Sequence, residues 1–160
     1  MNSSTNTFER QIVAVAPGKV ILFGEHFVVY GYPSLIASID KFFKVKVDFS
    51  PSTSDEIKIE SNLGFRATLQ NSVLHFPLGQ DSAHHEIIKK LYNVIQYLVT
   101  HTGIDAGSKY SILIRLDSEI PLGGGLGSSS AFCVALTAAF YNLLDNMINK
   151  RKICYESINA

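Results

Sequence analysis

From Phe43 to Phe49 apolar and charged side chains alternate: Phe43, Val45, Val47 and Phe49 against Lys44, Lys46 and Asp48. A period of two is the mark of a strand with one face buried. The apolar stretch containing it runs from Leu35 to Phe49. Glu56 to Glu60 alternates again after a loop at Pro51 to Asp55, and reads as its partner strand. Upstream, Gln11 to Ala16 is a short β-type run that meets Pro17-Gly18, a pair that punctuates local structure. Val20 to Phe23 and Phe27 to Tyr30 are further apolar runs, divided by Gly24-Glu25-His26, with another turn at Gly31 and Pro33.

Downstream the period changes. Asn62 to Gln80 has short apolar pieces and no sustained period. Asp81 or Ser82 then suits a helix N-cap, with Glu86 soon after. Ile87, Ile88, Leu91, Val94, Ile95 and Leu98 follow at helical spacing, and Thr102-Gly103 ends them. Tyr110 to Leu116 is a strand with Ile112, Ile114 and Leu116 on one face. Asp117 to Gly127 is a loop, Ser128 to Leu144 an Ala-rich apolar helix, and Asn149 to Ala160 starts another helix-like segment. Strands come first, then helix, strand, glycine loop and helix. That order predicts an α+β domain and not a regular βαβ array.

Composition narrows the function classes. In 160 residues, 46% are hydrophobic and 18% charged, enough apolar material for a sizeable core. Fourteen basic and fourteen acidic residues cancel. A neutral chain does not bind nucleic acid through bulk charge. It also has little charge to resist association, which points to a partner domain or further chain. No apolar run reaches the roughly 20 residues of a membrane helix, and the start MNSSTNTFER has no signal-peptide pattern. The expectation is a soluble cytoplasmic protein with a loose N-terminus over residues 1–10 and one domain over 11–160. Cys133 and Cys154 form no zinc-type spacing and read as buried free thiols. His84 and His85, adjacent on a helix, do not share a face, so no metal site is read there. The Phe and Tyr residues scattered through the strands read as core.

Two segments carry candidate chemistry. Pro121-Leu122-Gly123-Gly124-Gly125-Leu126-Gly127-Ser128-Ser129-Ser130 lies between a strand and a helix. Glycines let the backbone turn tightly and its N–H groups approach a ligand. The unpaired N–H groups of a helix's first turn attract anions. Serine hydroxyls add donors or reach Mg²⁺ held by phosphates. A phosphate-binding loop is the expectation, and a flexible loop with a serine N-cap is the plainer alternative. The Lys of GxxxxGK[ST] is missing, as is the acidic residue that follows a dinucleotide fingerprint. In the second segment, Ala16 to Gly31, the polar Lys19, Glu25 and His26 interrupt very apolar surroundings. A Lys near phosphates can neutralise charge in phosphoryl transfer, but each of the three also suits a structural role.

Together these segments resemble motifs of the GHMP kinases, the superfamily of galactokinase, homoserine kinase, mevalonate kinase and phosphomevalonate kinase. APGKVILFGEHFVVYGYPSL is similar to motif 1, and its GEH-x-VVYG run resembles the mevalonate-phosphorylating branch in particular. PLGGGLGSSSA resembles motif 2, the ATP-phosphate loop. The resemblance covers nearly the whole chain after the first ten residues. It implies a fold like domain 2 of ribosomal protein S5, with a second, ferredoxin-like domain following. It implies transfer of the ATP γ-phosphoryl group to the 5-hydroxyl of mevalonate.

By the same resemblance, Lys19 sits near the accepting hydroxyl and the transferring phosphate, His26 helps hold the substrate carboxylate end, and Glu25 supports motif 1 or lines the site. Gly123, Gly124, Gly125, Leu126, Gly127, Ser128, Ser129 and Ser130 wrap the nucleotide phosphates, with Ser129 also a Mg²⁺ ligand. Ser130 stands where the family usually has Ala. The family's acidic Mg²⁺ ligand, its Asp base and its third motif have no match in the chain. The expectation is therefore the N-terminal portion of such a kinase, inactive by itself. Its partners would be a small hydroxy acid, the C-terminal domain and, in some forms, a second copy, with no nucleic acid and no membrane. Other GHMP kinases acting on phosphomevalonate or homoserine, and a non-catalytic nucleotide-binding or interaction module, are the alternatives.

Overall fold

The computed structural model describes residues 10–51, 56–70, 73–75, 92–97, 110–143, 153, 154 and 157. The N-cap expected at Asp81 or Ser82, the His84-His85 pair, the stop at Thr102-Gly103 and residues 1–9 of the N-terminus expected to be loose lie outside them, whereas Arg10, expected to be loose with these, is paired with Phe49 in the sheet.

Six strands form one mixed sheet: β1 (Arg10–Phe23), β2 (Leu35–Pro51), β3 (Glu56–Ser61), β4 (Arg66–Gln70), β5 (Val73–His75) and β6 (Tyr110–Ser118). Residues 92–97 form a helical segment, α1, and Ser128–Leu143 forms α2. The spatial order is β1-β2-β6-β3-β4-β5. Neighbouring strands are antiparallel except β3 and β6, which run parallel, with Ile59 opposite Ile114.

The α+β expectation holds, with two corrections. β3 is not the partner of β2. β6 inserts between them, pairing Val45 with Leu116 on one side and Ile57 with Ile112 on the other. Alternation shows that a segment is a strand with one buried face, and both positions in the sheet satisfy it. β1 does not end at Pro17-Gly18. It continues to Phe23 through a register irregularity between Pro17 and Lys19. Pro lacks an N–H and is tolerated here because β1 is an edge strand. The described part of α2 ends at Leu143, and of the segment read from Asn149 only residues 153, 154 and 157 are described, with Ile153 buried.

The core lies between one sheet face and α2. The sheet contributes Val45, Val47, Ile57, Ile59, Ile112, Ile114 and Leu116, all essentially sealed from solvent. α2 answers with Ala131, Phe132, Ala135, Leu136, Ala139, Phe140 and Leu143. These recur at intervals of one, three and four, the stripe that a 3.6-residue helix turns toward a sheet. Its alanines bring the helix axis close to the strands. Phe132 meets Phe43 edge to face, with ring centroids 5.4 Å apart. Phe23 corrects the reading of strand aromatics as core: it is exposed, as are Phe27, Tyr30 and Tyr32 between β1 and β2. They cluster beyond Phe43, where β2 no longer pairs with β6 and the β1–β2 ribbon has no third strand.

On the opposite face of the sheet, Asp48 is fully buried. It accepts a hydrogen bond from Gln11 Nε2 at 2.7 Å and an ion pair from Arg115 Nη1. Arg115 Nε also lies 3.4 Å from Glu60 Oε2, so one guanidinium joins β2, β6 and β3. A buried carboxylate needs such partners, because an unpaired one is costly to desolvate.

Candidate functional site

The loop after β6 begins with a local lock. Ser118 Oγ donates to the Ile120 carbonyl at 2.8 Å and accepts from the Ile120 N–H at 3.1 Å. Ile120 is buried, which anchors the entry to Pro121–Gly127. Three of the loop glycines take left-handed backbone: Gly123 (φ +74°), Gly125 (φ +69°) and Gly127 (φ +77°). Residues with a Cβ avoid this region, so the winding of the loop requires glycine at alternate positions.

The loop ends on α2. The Ala131 N–H donates to the Gly127 carbonyl at 2.9 Å, the first bond of the helical ladder. The N–H groups of Ser128, Ser129 and Ser130 therefore belong to the first turn, where the ladder offers no acceptor. No acidic side chain occupies that turn. The positive end of α2 is thus uncompensated by any carboxylate of its own, which suits an external anion. Ser128 is buried, while Ser129 and Ser130 are exposed beside it.

β1 supports this loop from below. The Lys19 N–H donates to the Leu126 carbonyl at 2.9 Å. The Lys19 side chain then lies along Gly127: a Cβ built on Gly127 would stand 2.8 Å from Lys19 Cγ and 3.4 Å from Cε. Gly18 is equally close-packed, for its added Cβ would meet the Leu126 carbonyl oxygen at 2.9 Å and Ile39 Cδ1 at 3.0 Å. Lys19 is half-buried and makes no ion pair among the described residues. The Lys19 stem is therefore held against the glycine loop, and its charge makes no ion pair among the described residues.

The structure thus joins Lys19 to Leu126 and Gly127, two segments more than 100 residues apart in sequence. Glu25 and His26 are placed differently. They occupy the turn after β1, where the Gly24 carbonyl accepts from the Phe27 and Val28 N–H groups at 3.2 and 2.9 Å. Both side chains are exposed, and no hydrogen bond links either to Lys19 or to the loop among the described residues. A 3-10 turn, Val28–Tyr30, follows and closes on Gly31 at φ +84°.

Beside the loop lies a cavity of about 490 Å³, walled by Phe43, Leu63, Phe65, Val94, Phe132 and Cys133 and reaching Gly123, Ser128 and Ser129. Sequence reading missed it. Its walls come from five separate segments, and only Phe43 and Val94 carried a periodic signal. Its polar rim is the start of α2. Such a site, apolar with a few polar groups at one end, suits a largely apolar ligand group with a polar end. Cys133 is half-buried in this wall, and burial pushes its thiol pKa above the ordinary 9.0. Both cysteines are free, as expected, but Cys154 is exposed and not buried. Among the described residues no group of three or more His, Cys, Asp or Glu side chains could hold a metal. No described helix is long and apolar enough to cross a membrane.

Comparison with known proteins points to one family. Residues 86–159 match the model of the GHMP kinases N terminal domain. The chain is 33% identical over 148 residues to a mevalonate kinase of Pyrococcus abyssi, covering 90% of this chain and 42% of that protein. Its structure is similar to the Methanococcus jannaschii mevalonate kinase, with a TM-score of 0.72 at 24% identity, over 93% of this chain and 45% of that one. It is also similar to a Lactococcus lactis galactokinase complexed with galactose, with a TM-score of 0.64 at 16% identity, over 94% and 37% respectively. The chain thus spans about two fifths of the length of the Pyrococcus relative.

Proposed function

We propose that this chain, which carries a GHMP kinase N-terminal domain, is the phosphate- and acceptor-binding part of a cytoplasmic mevalonate kinase. The observation that carries the reading is the packing of Lys19 against Gly127. It sets a cation beside the loop that would hold the nucleotide. Phosphoryl transfer demands mainly positioning and charge compensation, and this arrangement offers both.

In this reading the N–H groups from Gly123 to Ser130 receive the ATP phosphates at the positive end of α2. The nucleobase enters the apolar cavity beside Phe65 and Phe132. Ser129 would be the chain's hydroxyl ligand for a Mg²⁺ carried by those phosphates. One exposed hydroxyl fits an ion that keeps most of its water and phosphate ligands. When bound, the ion neutralises phosphate charge. Lys19 orients the transferring phosphoryl group and stabilises the charge that develops on it. His26, exposed beyond the end of β1, helps hold the carboxylate end of the acceptor, and Glu25 beside it supports the turn or lines the site.

The acceptor assignment rests on sequence, because the fold also serves a galactokinase. At 33% identity the chain resembles an enzyme acting on mevalonate. The residues that supply the catalytic carboxylates are assigned to further chain, as is the cover for the exposed apolar end formed by Phe23, Val29 and Tyr30. The 160 residues alone are then expected to bind nucleotide and not to turn over. Titration of the chain with Mg-ATP is the test. Saturable binding that is weakened by Lys19→Met supports the site. Equal affinity for ATP in the two proteins removes Lys19 from it.

A further inference from the structure

The backbone of β1 is joined to the glycine loop at one point, and Gly18 is what permits the joint. A Cβ there would stand 2.9 Å from the Leu126 carbonyl oxygen, the atom that accepts the Lys19 N–H. It would also stand 3.0 Å from Ile39 Cδ1 and 3.1 Å from Ile39 Cγ1 on the paired strand. The two obstacles differ in kind. Ile39 is a side chain that can be trimmed, whereas Leu126 O is backbone of the loop itself. Gly18 is buried and does not have a left-handed φ, so its conformation alone does not call for glycine. What calls for it is the close approach of β1 to the loop.

We infer that Gly18 is a positioning residue, which sets the loop's height over β1 and with it the place of Lys19 against Gly127. An alanine at 18 pushes the Leu126 carbonyl away, breaks its bond to the Lys19 N–H, and separates the cation from the loop. Displacements of this size have large consequences where geometry sets the rate, up to about 10²-fold for a 1 Å error. The inference rests on the phosphate-loop reading for its functional half. Its structural half, the joint between β1 and the loop, stands independently.

The experiment uses four forms of the chain: parent, Gly18→Ala, Ile39→Ala and the double variant. Hydrogen exchange at the Lys19 amide reads the joint without any ligand. Mg-ATP affinity reads its functional consequence, and thermal melting reads the core. Reversible unfolding raises the apparent Kd by the inverse of the folded fraction, so affinities are compared at a temperature where the melts show all four forms folded.

We expect Gly18→Ala to lose Lys19 amide protection and to weaken Mg-ATP about tenfold or more. Ile39→Ala alone should bind as the parent does. Removing Ile39 in the double variant should relieve the side-chain clash and restore part of the lost melting temperature. It should restore neither the amide protection nor the affinity, because the Leu126 carbonyl is still displaced. Recovery of both in the double variant would overturn the inference and make Gly18 a packing residue only. Retained amide protection in Gly18→Ala would overturn it as well. A parent that does not bind Mg-ATP, with protection lost in Gly18→Ala, would instead refute the phosphate-loop reading and leave the joint intact.

Discussion

Lys19 and Gly127 touch: a single added carbon on the glycine would lie 2.8 Å from the lysine Cγ, inside any normal contact. Gly127 also has φ +77°, so an alanine there meets both backbone strain and a collision. Gly125, at φ +69°, has open space around it and meets strain alone. Gly125→Ala should cost roughly 1–2 kcal/mol of stability. Gly127→Ala should cost more and also lower Mg-ATP affinity about tenfold by displacing Lys19. Chemical denaturation and nucleotide titration of the two variants check the difference.

Lys19→Met should separate catalysis from folding. The ammonium makes no ion pair among the described residues, so its loss should move the melting temperature little. In the full-length protein kcat should fall by about 10²-fold or more, the scale of one lost transition-state contact. A melting temperature that collapses with kcat would give Lys19 a structural role.

Arg115→Leu should destabilise the sheet by about 3 kcal/mol, since it leaves the fully buried Asp48 carboxylate without its guanidinium. Replacing both, Asp48→Leu with Arg115→Leu, should recover much of that loss. A double variant as unstable as the sum of its single changes would refute the pairing account. Urea denaturation of the parent, Arg115→Leu, Asp48→Leu and the double variant supplies the comparison.

Cys133 and Cys154 should alkylate at different rates. Burial holds the Cys133 proton, so at neutral pH the exposed Cys154 reacts first. The unfolded chain ionises this thiol near the ordinary 9.0, whereas the folded chain does so only above that value. The associated stability is therefore intact below pH 9 and is lost as pH rises through the folded pKa. Because Cys133 lines the cavity, Mg-ATP should slow its labelling and leave Cys154 unaffected. Mass spectrometry after timed iodoacetamide exposure reads both sites.

The sequence made the elements legible more readily than their neighbours. The alternation at Phe43–Phe49 and Glu56–Glu60 marks two strands with buried faces, but it carries no information about which edges meet, so β6 between them was invisible. Pro17-Gly18 looked like a stop, because the rule that Pro ends a strand lapses at a sheet edge, and edge position is a tertiary fact. The glycine run and the serines after it predicted a strand-to-helix loop, and the structure has one between β6 and α2. That Lys19 lies under this loop depends on a backbone bond between residues 107 positions apart, which no local pattern encodes. The cavity was illegible for the same reason: Phe43 and Val94 read as core, Leu63 and Phe65 lay in a stretch with no sustained period, and Ser128 and Ser129 read as part of the loop.

The central claim is transfer of a phosphoryl group from ATP to mevalonate, and ADP release measures it most directly. The full-length protein is assayed with Mg-ATP and, in parallel, mevalonate, phosphomevalonate, homoserine and galactose. The account predicts turnover with mevalonate well above the other three, lost by about 10²-fold in Lys19→Met. Preference for another acceptor, or no acceptor-dependent ADP release from a protein that binds Mg-ATP, would contradict it.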